Sequence, residues 1–177
     1  MALDSDNVRV AVSGAVYVAP TGTTAPTASD SALDAAFVDL GYVSADGITE
    51  SIDRTTNQIR AWQNGSLVRE VTSEGTYSVS MTFIETSEAV LELYYGTTNA
   101  SGEFNIDPTS TGGRQSFVID VVDGTNVERV YIPAGEITSV GERTLASGEA
   151  IGYQVTITAY ADTSSNTVTK WFSILES

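Results

Sequence analysis

The feature that most constrains the fold of this 177-residue chain is a strict two-residue alternation of apolar and polar side chains. The run TYSVSMTF at 76–83 shows it, and so does the run IGYQVTITA at 151–159. Successive side chains of a β-strand point to opposite faces, so each run has one apolar and one polar face. Both runs therefore predict strands with one face against a core. The other face is either exposed to solvent or lines some other surface.

Shorter alternating or apolar runs predict the remaining strands, and one segment predicts a helix. Ser87 can cap a helix over about 87–95, and Gly96 suits its left-handed exit. Its predicted apolar stripe is Val90, Leu91, Tyr94 and Tyr95. The Asn64-Gly65 pair predicts a hairpin tip. The other predicted strands are 8–18, 38–43, 48–53, 115–122, 127–132 and 136–140, with a short helical turn at 32–37 and a last apolar piece at 168–175.

The predicted fold class is mainly β: two packed antiparallel sheets, as a sandwich or partly closed barrel, with one α-helix at about 87–95 on the flank. A chain of this length suits a single domain at 1–177. An N-terminal arm at about 1–7 and a C-terminal arm at about 163–177 are expected to be extended and to fold against a neighbouring molecule. No apolar run approaches the ~20 residues of a membrane helix, so no membrane insertion is predicted.

The charge balance is strongly acidic, with 23 Asp and Glu against 8 Lys and Arg and a formal net charge of −15. Tight binding to a phosphate backbone depends on cations that release counterions, so this surface suits nucleic acid poorly. One interpretation is simple solubility, because high net charge keeps proteins apart. The other is a surface that nucleic acid must pass without adhering.

The chain has no cysteine and no histidine, which excludes zinc fingers, disulfide scaffolds, thiol nucleophiles and Ser-His-Asp catalysis. A carboxylate pair is the remaining catalytic option. The candidates are Glu50 with Asp53, or Glu85 with Glu88 and Glu92, but solvated acidic faces explain them better. No phosphate-binding or dinucleotide-binding motif occurs, and no metal or cofactor is predicted.

Two tryptophan-containing segments are candidates for self-association. Trp62 lies beside the predicted hairpin tip in a polar segment, where an indole would anchor a partner. Trp171 and Phe172 lie near the C-terminus and suit a neighbouring surface. A core tryptophan and solvated hairpin charges remain the alternatives. The candidate self-assembly residues are Arg54, Arg60, Trp62, Gln63, Arg69, Trp171 and Phe172.

The order of short motifs along the chain resembles the major tail tube proteins of long-tailed, siphovirus-type bacteriophages. No single motif is diagnostic, but their order and spacing together are specific. The resemblance is densest from about Gly14 to Gly96, and the later strands agree in pattern alone. The motifs are APTGT at 19–23, LDAAF at 33–37, LGYVS at 40–44, DGIT at 46–49, AWQ at 61–63 with Gly65, VR at 68–69, FIE at 83–85 and LELYYG at 91–96.

This resemblance implies a fold shared with type VI secretion tube proteins and a structural, non-enzymatic role. Six copies would close a ring, and rings would stack into a hollow tube through which genomic DNA passes without specific binding. The hairpin at about 54–70 would reach the adjacent ring. Tail-tip, tape-measure and tail-terminator proteins would be further partners, and the protein would be made in the host cytoplasm and reside in the virion tail.

Within such a tube, the polar faces of the alternating strands are candidates for lining an acidic lumen. Repulsion from acidic groups acts over about a Debye length, ~8 Å, and would keep moving DNA from adhering. The alternative function is a β-sandwich that binds carbohydrate or adheres through Trp62 without catalysis, and a carboxylate-only hydrolase comes third. The candidate lumen residues are Thr76, Ser78, Ser80, Thr82, Gln154, Thr156 and Thr158.

Overall fold

Eight β-strands and one α-helix follow one another along residues 7–175, the part of the chain that the computed structural model describes. The mainly β prediction with one flanking helix is confirmed. No helix in this part of the chain has the length and apolarity that a membrane crossing demands. The elements are β1 Ser13–Pro20, β2 Val38–Asp39, β3 Val43–Arg60, β4 Leu67–Phe83, α1 Glu88–Tyr95, β5 Gln115–Asp123, β6 Asn126–Val140, β7 Tyr153–Tyr160 and β8 Thr169–Phe172, with a 3₁₀ turn at Ser173–Leu175.

All the strands belong to one antiparallel sheet that does not close, in the order β2-β1-β5-β6-β7-β4-β3, with β8 beside β6. The two packed layers predicted from the sequence are thus two halves of a single sheet. They share β6, which pairs with β5 and β8 along its first part and with β7 from Ala134 to Val140.

The long strand β6 explains why one sheet forms where two were expected. The sequence suggested a break between 132 and 136, around Pro133. Instead β6 continues through a β-bulge, because the three steps from Ile132 to Gly135 lie opposite two steps on β5. Proline is tolerated at such irregularities, and the Ser116 hydroxyl donates to the Pro133 carbonyl at 2.8 Å. The strand therefore continues from one half into the other.

The apolar faces of the two halves pack around one core, as the alternation predicted. Burial of these side chains supplies the main stabilisation of the fold, at roughly 25 cal/mol per Å² of apolar surface. The core residues include Val79, Met81, Phe83, Tyr153, Val155 and Ile157 from one half, with Val16, Phe117, Ile119, Val130 and Ile132 from the other.

Helix α1 covers the flank of this core at the predicted position. The Ser87 hydroxyl accepts from the Val90 amide at 3.4 Å, and Gly96 ends the helix at φ 62°, as expected of a left-handed cap. Val90 and Leu93 are the buried residues of the helix. Leu93 was missed in the predicted stripe. Leu91 and Tyr94 pack against the core as predicted, and the Tyr94 hydroxyl also donates to the Gly141 carbonyl at 2.8 Å.

A buried arginine holds the long segment between β1 and β2 against the sheet. Arg129 pairs with Asp120 and also donates from Nη1 to the Ser31 carbonyl at 2.6 Å and the Ala28 carbonyl at 3.2 Å. Residues 32–37 form a turn, in which the Phe37 amide donates to Asp34 O at 3.0 Å, and not the helical turn expected from the sequence.

Near the two chain ends, the described residues form a first strand that is shorter than predicted and a short last strand. The strand predicted at 8–18 begins at Ser13, although the Val12 amide still donates to Val122 O at 3.2 Å. Most of the expected N-terminal arm, 1–7, lies outside the described residues, as do 176 and 177. In the expected C-terminal arm, 163–177, residues 169–172 form β8 on β6 of the same chain.

Candidate self-assembly surfaces

The β3–β4 hairpin projects far beyond the body of the protein. Strand β4 pairs with β7 over Tyr77–Phe83, whereas its first ten residues, 67–76, pair within the described chain with β3 alone. At about 3.3 Å a residue, this overhang is ~33 Å long. Its residues are exposed on both strands. We call residues 54–76 the arm.

The tip of the arm is built by the Asn-Gly pair that the sequence singled out. Asn64 and Gly65 have left-handed φ angles of 59° and 62°, which asparagine and glycine tolerate, within a four-residue turn at 62–65. The Ala61 amide donates to the Ser66 carbonyl at 2.8 Å and closes the turn. Trp62 is 97% exposed there, so the interpretation of Trp62 as a core residue is wrong.

The arm combines exposed apolar and basic side chains. Arg60 donates to the Gly65 carbonyl at 3.3 Å and to Gln58 Oε1 at 2.8 Å, so it lies beside the tip. Within residues 7–175, none of the three arm arginines forms a salt bridge. The exposed apolar side chains are Ile59, Trp62, Leu67, Val68 and Val71, and the arginines are Arg54, Arg60 and Arg69.

The seven candidate lumen residues lie on one face of β4 and β7, opposite the core face. Cross-strand neighbours are Ser78 with Thr158, Ser80 with Thr156 and Thr82 with Gln154. The Ser80 and Thr156 hydroxyls are 2.9 Å apart, as expected of a hydrogen-bonded cross-strand pair. Thr76 lies on the same face, one position into the overhang. We call this surface the polar face.

Carboxylates continue the polar face on its two neighbouring strands. Asp53 on β3 is opposite Thr76, and Glu136 on β6 is opposite Thr158. Glu136 accepts from the Thr111 hydroxyl at 2.6 Å and lies 4.0 Å from Arg114. The polar face is therefore mainly hydroxylic with acids beside it, and none of its seven residues is a cation.

The C-terminal candidates lie on β8. Trp171 is opposite Arg129 on β6 and is half-buried, while Phe172 is 37% exposed. Their neighbour Lys170 donates to Glu50 on β3 and to Glu128 on β6, the latter at 3.1 Å. Burial opposes the charge of Lys170, but these hydrogen bonds outweigh it and raise its pKa. A contact of Trp171 and Phe172 with a neighbour stays a prediction.

Several of the acids considered for catalysis have structural partners. Glu50 binds Lys170, and Asp53 accepts from the Ser51 hydroxyl at 2.9 Å. Glu88 and Glu92 both hold Asn99, each at 2.7 Å. Through these contacts the acids hold loops and strands in place.

The fold is shared with a chain of one solved sheath–tube complex, and two further solved structures align with it less well. A chain of the sheath–tube complex of an extracellular contractile injection system, PVC, in its extended state aligns with a TM-score of 0.54 at 7% identity, over 94% of this chain and 93% of that chain. The tail of an empty GTA particle with C6 symmetry aligns at 0.49 and 11% identity, over 95% and 98%. The tube-terminating cap of the anti-feeding prophage aligns at 0.48 and 14% identity, over 96% and 98%.

No curated protein matches the sequence. A family model described as phage tail tube protein matches residues 1–174, nearly the full length, so the resemblance seen in the short motifs is confirmed. Nothing in these comparisons supports the carbohydrate-binding alternative. With its single open β-sheet, its flanking helix and this family match, the chain belongs to the phage tail tube protein family and is a structural tube protein.

Proposed function

We propose that six copies of this chain close into a ring, that rings stack into the hollow tail tube, and that genomic DNA passes through it to the host. The observation that carries the proposal is the arm, an exposed ~33 Å hairpin that ends in a 97% exposed tryptophan. A six-membered ring is what the resemblance to siphovirus-type tail tubes implies.

The arm needs a second molecule for physical reasons. A two-stranded hairpin without a covering layer is marginally stable in water. Apolar side chains such as Ile59, Trp62 and Val68 gain free energy when a partner surface removes them from water. Contact with an identical copy at a different surface is heterologous, so it can propagate along an axis without limit. That is the geometry of stacked rings.

The polar face suits the wall of a bore. Binding to duplex DNA depends mainly on lysine and arginine contacts to phosphate. Hydroxyl side chains such as Ser80 and Thr156 offer no such charge, and Asp53 and Glu136 beside them add repulsion over about a Debye length, ~8 Å. DNA would therefore move past without adhering.

A location in the virion tail follows from this role. Tail-tip, tape-measure and terminator proteins would contact the ends and the interior of the tube, and synthesis would take place in the host cytoplasm. The match to a family of structural tail tube proteins supports a role without catalysis.

Electron microscopy of the purified full-length chain over a concentration series tests the proposal. We expect rings or tubes of one diameter above a threshold concentration, or after addition of a preformed tail-tip seed. A chain that stays monomeric at every concentration, with and without the seed, overturns the proposal.

A further inference from the structure

We infer that the tip of the arm docks into a groove at the opposite end of the body of a second copy, between α1, the end of β6 and the loop at 106–111. This inference rests on the proposed function and identifies the surface that receives Trp62.

The antiparallel ladders place the arm tip and this groove at opposite ends of the molecule. Strand β4 runs from Leu67, next to the tip, to Phe83, and these residues are about 53 Å apart at ~3.3 Å a residue. Phe83 is opposite Tyr153 on β7, and Val155 on β7 is opposite Val140 on β6. Val140, at the end of β6, therefore lies at the end remote from the tip.

The groove has the size and lining for an aromatic side chain. Its volume is about 350 Å³, within the range of sites that enclose small molecules. Leu93, Tyr94, Ile106, Pro108 and Val140 contribute to its wall. Ile106 is 57% and Val140 47% exposed, so both would lose water contact when an indole enters. An indole has the apolar area to exploit such a site and a single N–H to satisfy.

Charge complementarity favours the arm tip as the occupant. The arm, residues 54–76, carries three arginines and two glutamates, a net charge of +1 in a chain of −15. Asp107 is the one charged residue among the described residues that line the groove, and Arg143 donates to the hydroxyl of Tyr95 on the same lining. Backbone and side-chain hydrogen bonds from Thr109 lower the pKa of Asp107, so the carboxylate is charged at neutral pH. Arg60 beside Trp62 would meet an anion.

A wider groove elsewhere is a poorer match. It has a volume of about 640 Å³, and its lining includes Thr21, Tyr131 and Pro133 together with the oppositely charged Arg114 and Asp162. The Arg114 guanidinium already lies 4.5 Å from the ring centre of Tyr160. Arg114 offsets the attraction of Asp162 for a second cation from the arm tip, whereas Asp107 is the one charged residue that lines the groove at 106–111.

Because the chain has no cysteine, cross-linking between introduced cysteines can test this contact cleanly. The test variant is Gln63→Cys with Ile106→Cys, which keeps Trp62 in place. The control variant is Gln63→Cys with Thr125→Cys, since Thr125 lies in the exposed turn before β6, at the other end of that strand from Val140. Assembled tubes are treated with a short bifunctional maleimide and analysed on a denaturing gel.

We expect a ladder of cross-linked oligomers well beyond the dimer for the Ile106 variant and dimers at most for the Thr125 variant. A head-to-tail contact joins position 63 of each copy to position 106 of the next, which gives an open series. If tubes form normally but the two variants give equal ladders, or the Ile106 variant gives no ladder, the groove is not the docking site. The proposed function is unaffected by that result. Failure of the unmodified chain to form tubes overturns the proposed function itself.

A charge substitution provides a second readout. Ile106→Lys places a cation in the groove opposite the basic arm tip, and Thr125→Lys is the matched control. We expect Ile106→Lys to raise the threshold concentration for tubes about tenfold or more, with unchanged thermal unfolding of the subunit. Equal thresholds for the two variants contradict the inference.

Discussion

Arg129 donates two nearly parallel hydrogen bonds to Asp120, from Nε at 2.7 Å and from Nη2 at 2.8 Å, with both side chains almost out of solvent. The same guanidinium reaches the Ala28 and Ser31 carbonyls. One side chain thus joins two strands to the segment that covers them. The planar guanidinium of arginine can bind both carboxylate oxygens at once in this way, whereas the ammonium of lysine acts as a point charge.

Arg129→Ala should therefore destabilise the subunit strongly. The substitution leaves the Asp120 carboxylate buried without its partner, which typically costs about 3–5 kcal/mol of unfolding free energy. We expect this loss in urea unfolding, together with faster amide exchange over residues 21–37. Arg114→Ala, at a more exposed arginine, is the control and should change stability little. Equal stability of the two variants would contradict the role given to Arg129.

Trp62→Ala should separate tube assembly from subunit folding. Because Trp62 is 97% exposed, its loss should change the unfolding free energy by at most about 0.5 kcal/mol. If Trp62 anchors the next ring, the threshold concentration for tubes should rise about tenfold or more. Trp171→Ala is the comparison, since Trp171 is half-buried on β8 and its loss should lower subunit stability as well. An unchanged threshold for Trp62→Ala argues against the anchor.

Alkaline pH should destabilise the subunit through Tyr77. Burial raises the pKa of the Tyr77 hydroxyl, and the nearby charges of Glu50 and Glu128 raise it further. Above the ordinary value of 10.0 the unfolded state releases this proton while the folded state keeps it, so stability falls as pH rises. By pH 11 the loss should be at most about 1.4 kcal/mol, the equivalent of one pKa unit, because solvent partly screens the charges around this half-buried side chain.

Tyr77→Phe should flatten this alkaline decline in urea unfolding measured between about pH 8 and pH 11. The decline should not vanish, because burial also raises the pKa of Tyr17 and Tyr94. An identical decline in the variant would mean that Tyr77 is not the source.

Cations on the polar face should make tubes retain DNA. We expect tubes of the Thr156→Lys and Thr158→Lys double variant to bind short duplex DNA in co-sedimentation, while unmodified tubes do not. The bound fraction should fall with salt, with a log–log slope of about −0.9 per phosphate contacted. Thr125→Lys tubes control for added charge elsewhere. If tubes of the double variant retain no more DNA than the Thr125→Lys tubes, the polar face does not line the bore.

The sequence predicted the class of fold because strand alternation and helix caps are local signals. The faces of β4 and β7 were assigned correctly, and Ser87 and Gly96 bound the helix as expected. The merging of the two layers into one sheet was not predicted, because it depends on a β-bulge at Pro133 that lets β6 continue from β5 to β7. Whether a strand ends or bulges at a proline depends on its partner strands, which lie elsewhere in the sequence.

The arm shows a different limit of sequence reasoning. Its tip was found from Asn64-Gly65, but its length was not, because neither strand of the overhang has a buried face to produce alternation. Arg129 and Lys170 were missed for a related reason. Their importance depends on partners such as Asp120 and Glu50, and Glu50 is 120 residues away from Lys170 in the sequence. An isolated basic residue carries no sign of such a partner.

The overhanging hairpin also bears on when polymerisation begins. Residues that bury nothing in the lone subunit keep much of their conformational freedom, and that freedom is lost on joining a neighbour. At the end of a growing filament, an incoming subunit meets a complete ring of binding surfaces. Contact with that ring compensates at once for the conformational entropy that the arm loses. In dilute solution, several subunits must lose this conformational freedom together before a first complete ring exists. We therefore expect a long lag without a nucleus, which would keep newly made subunits in reserve until a tail tip is ready.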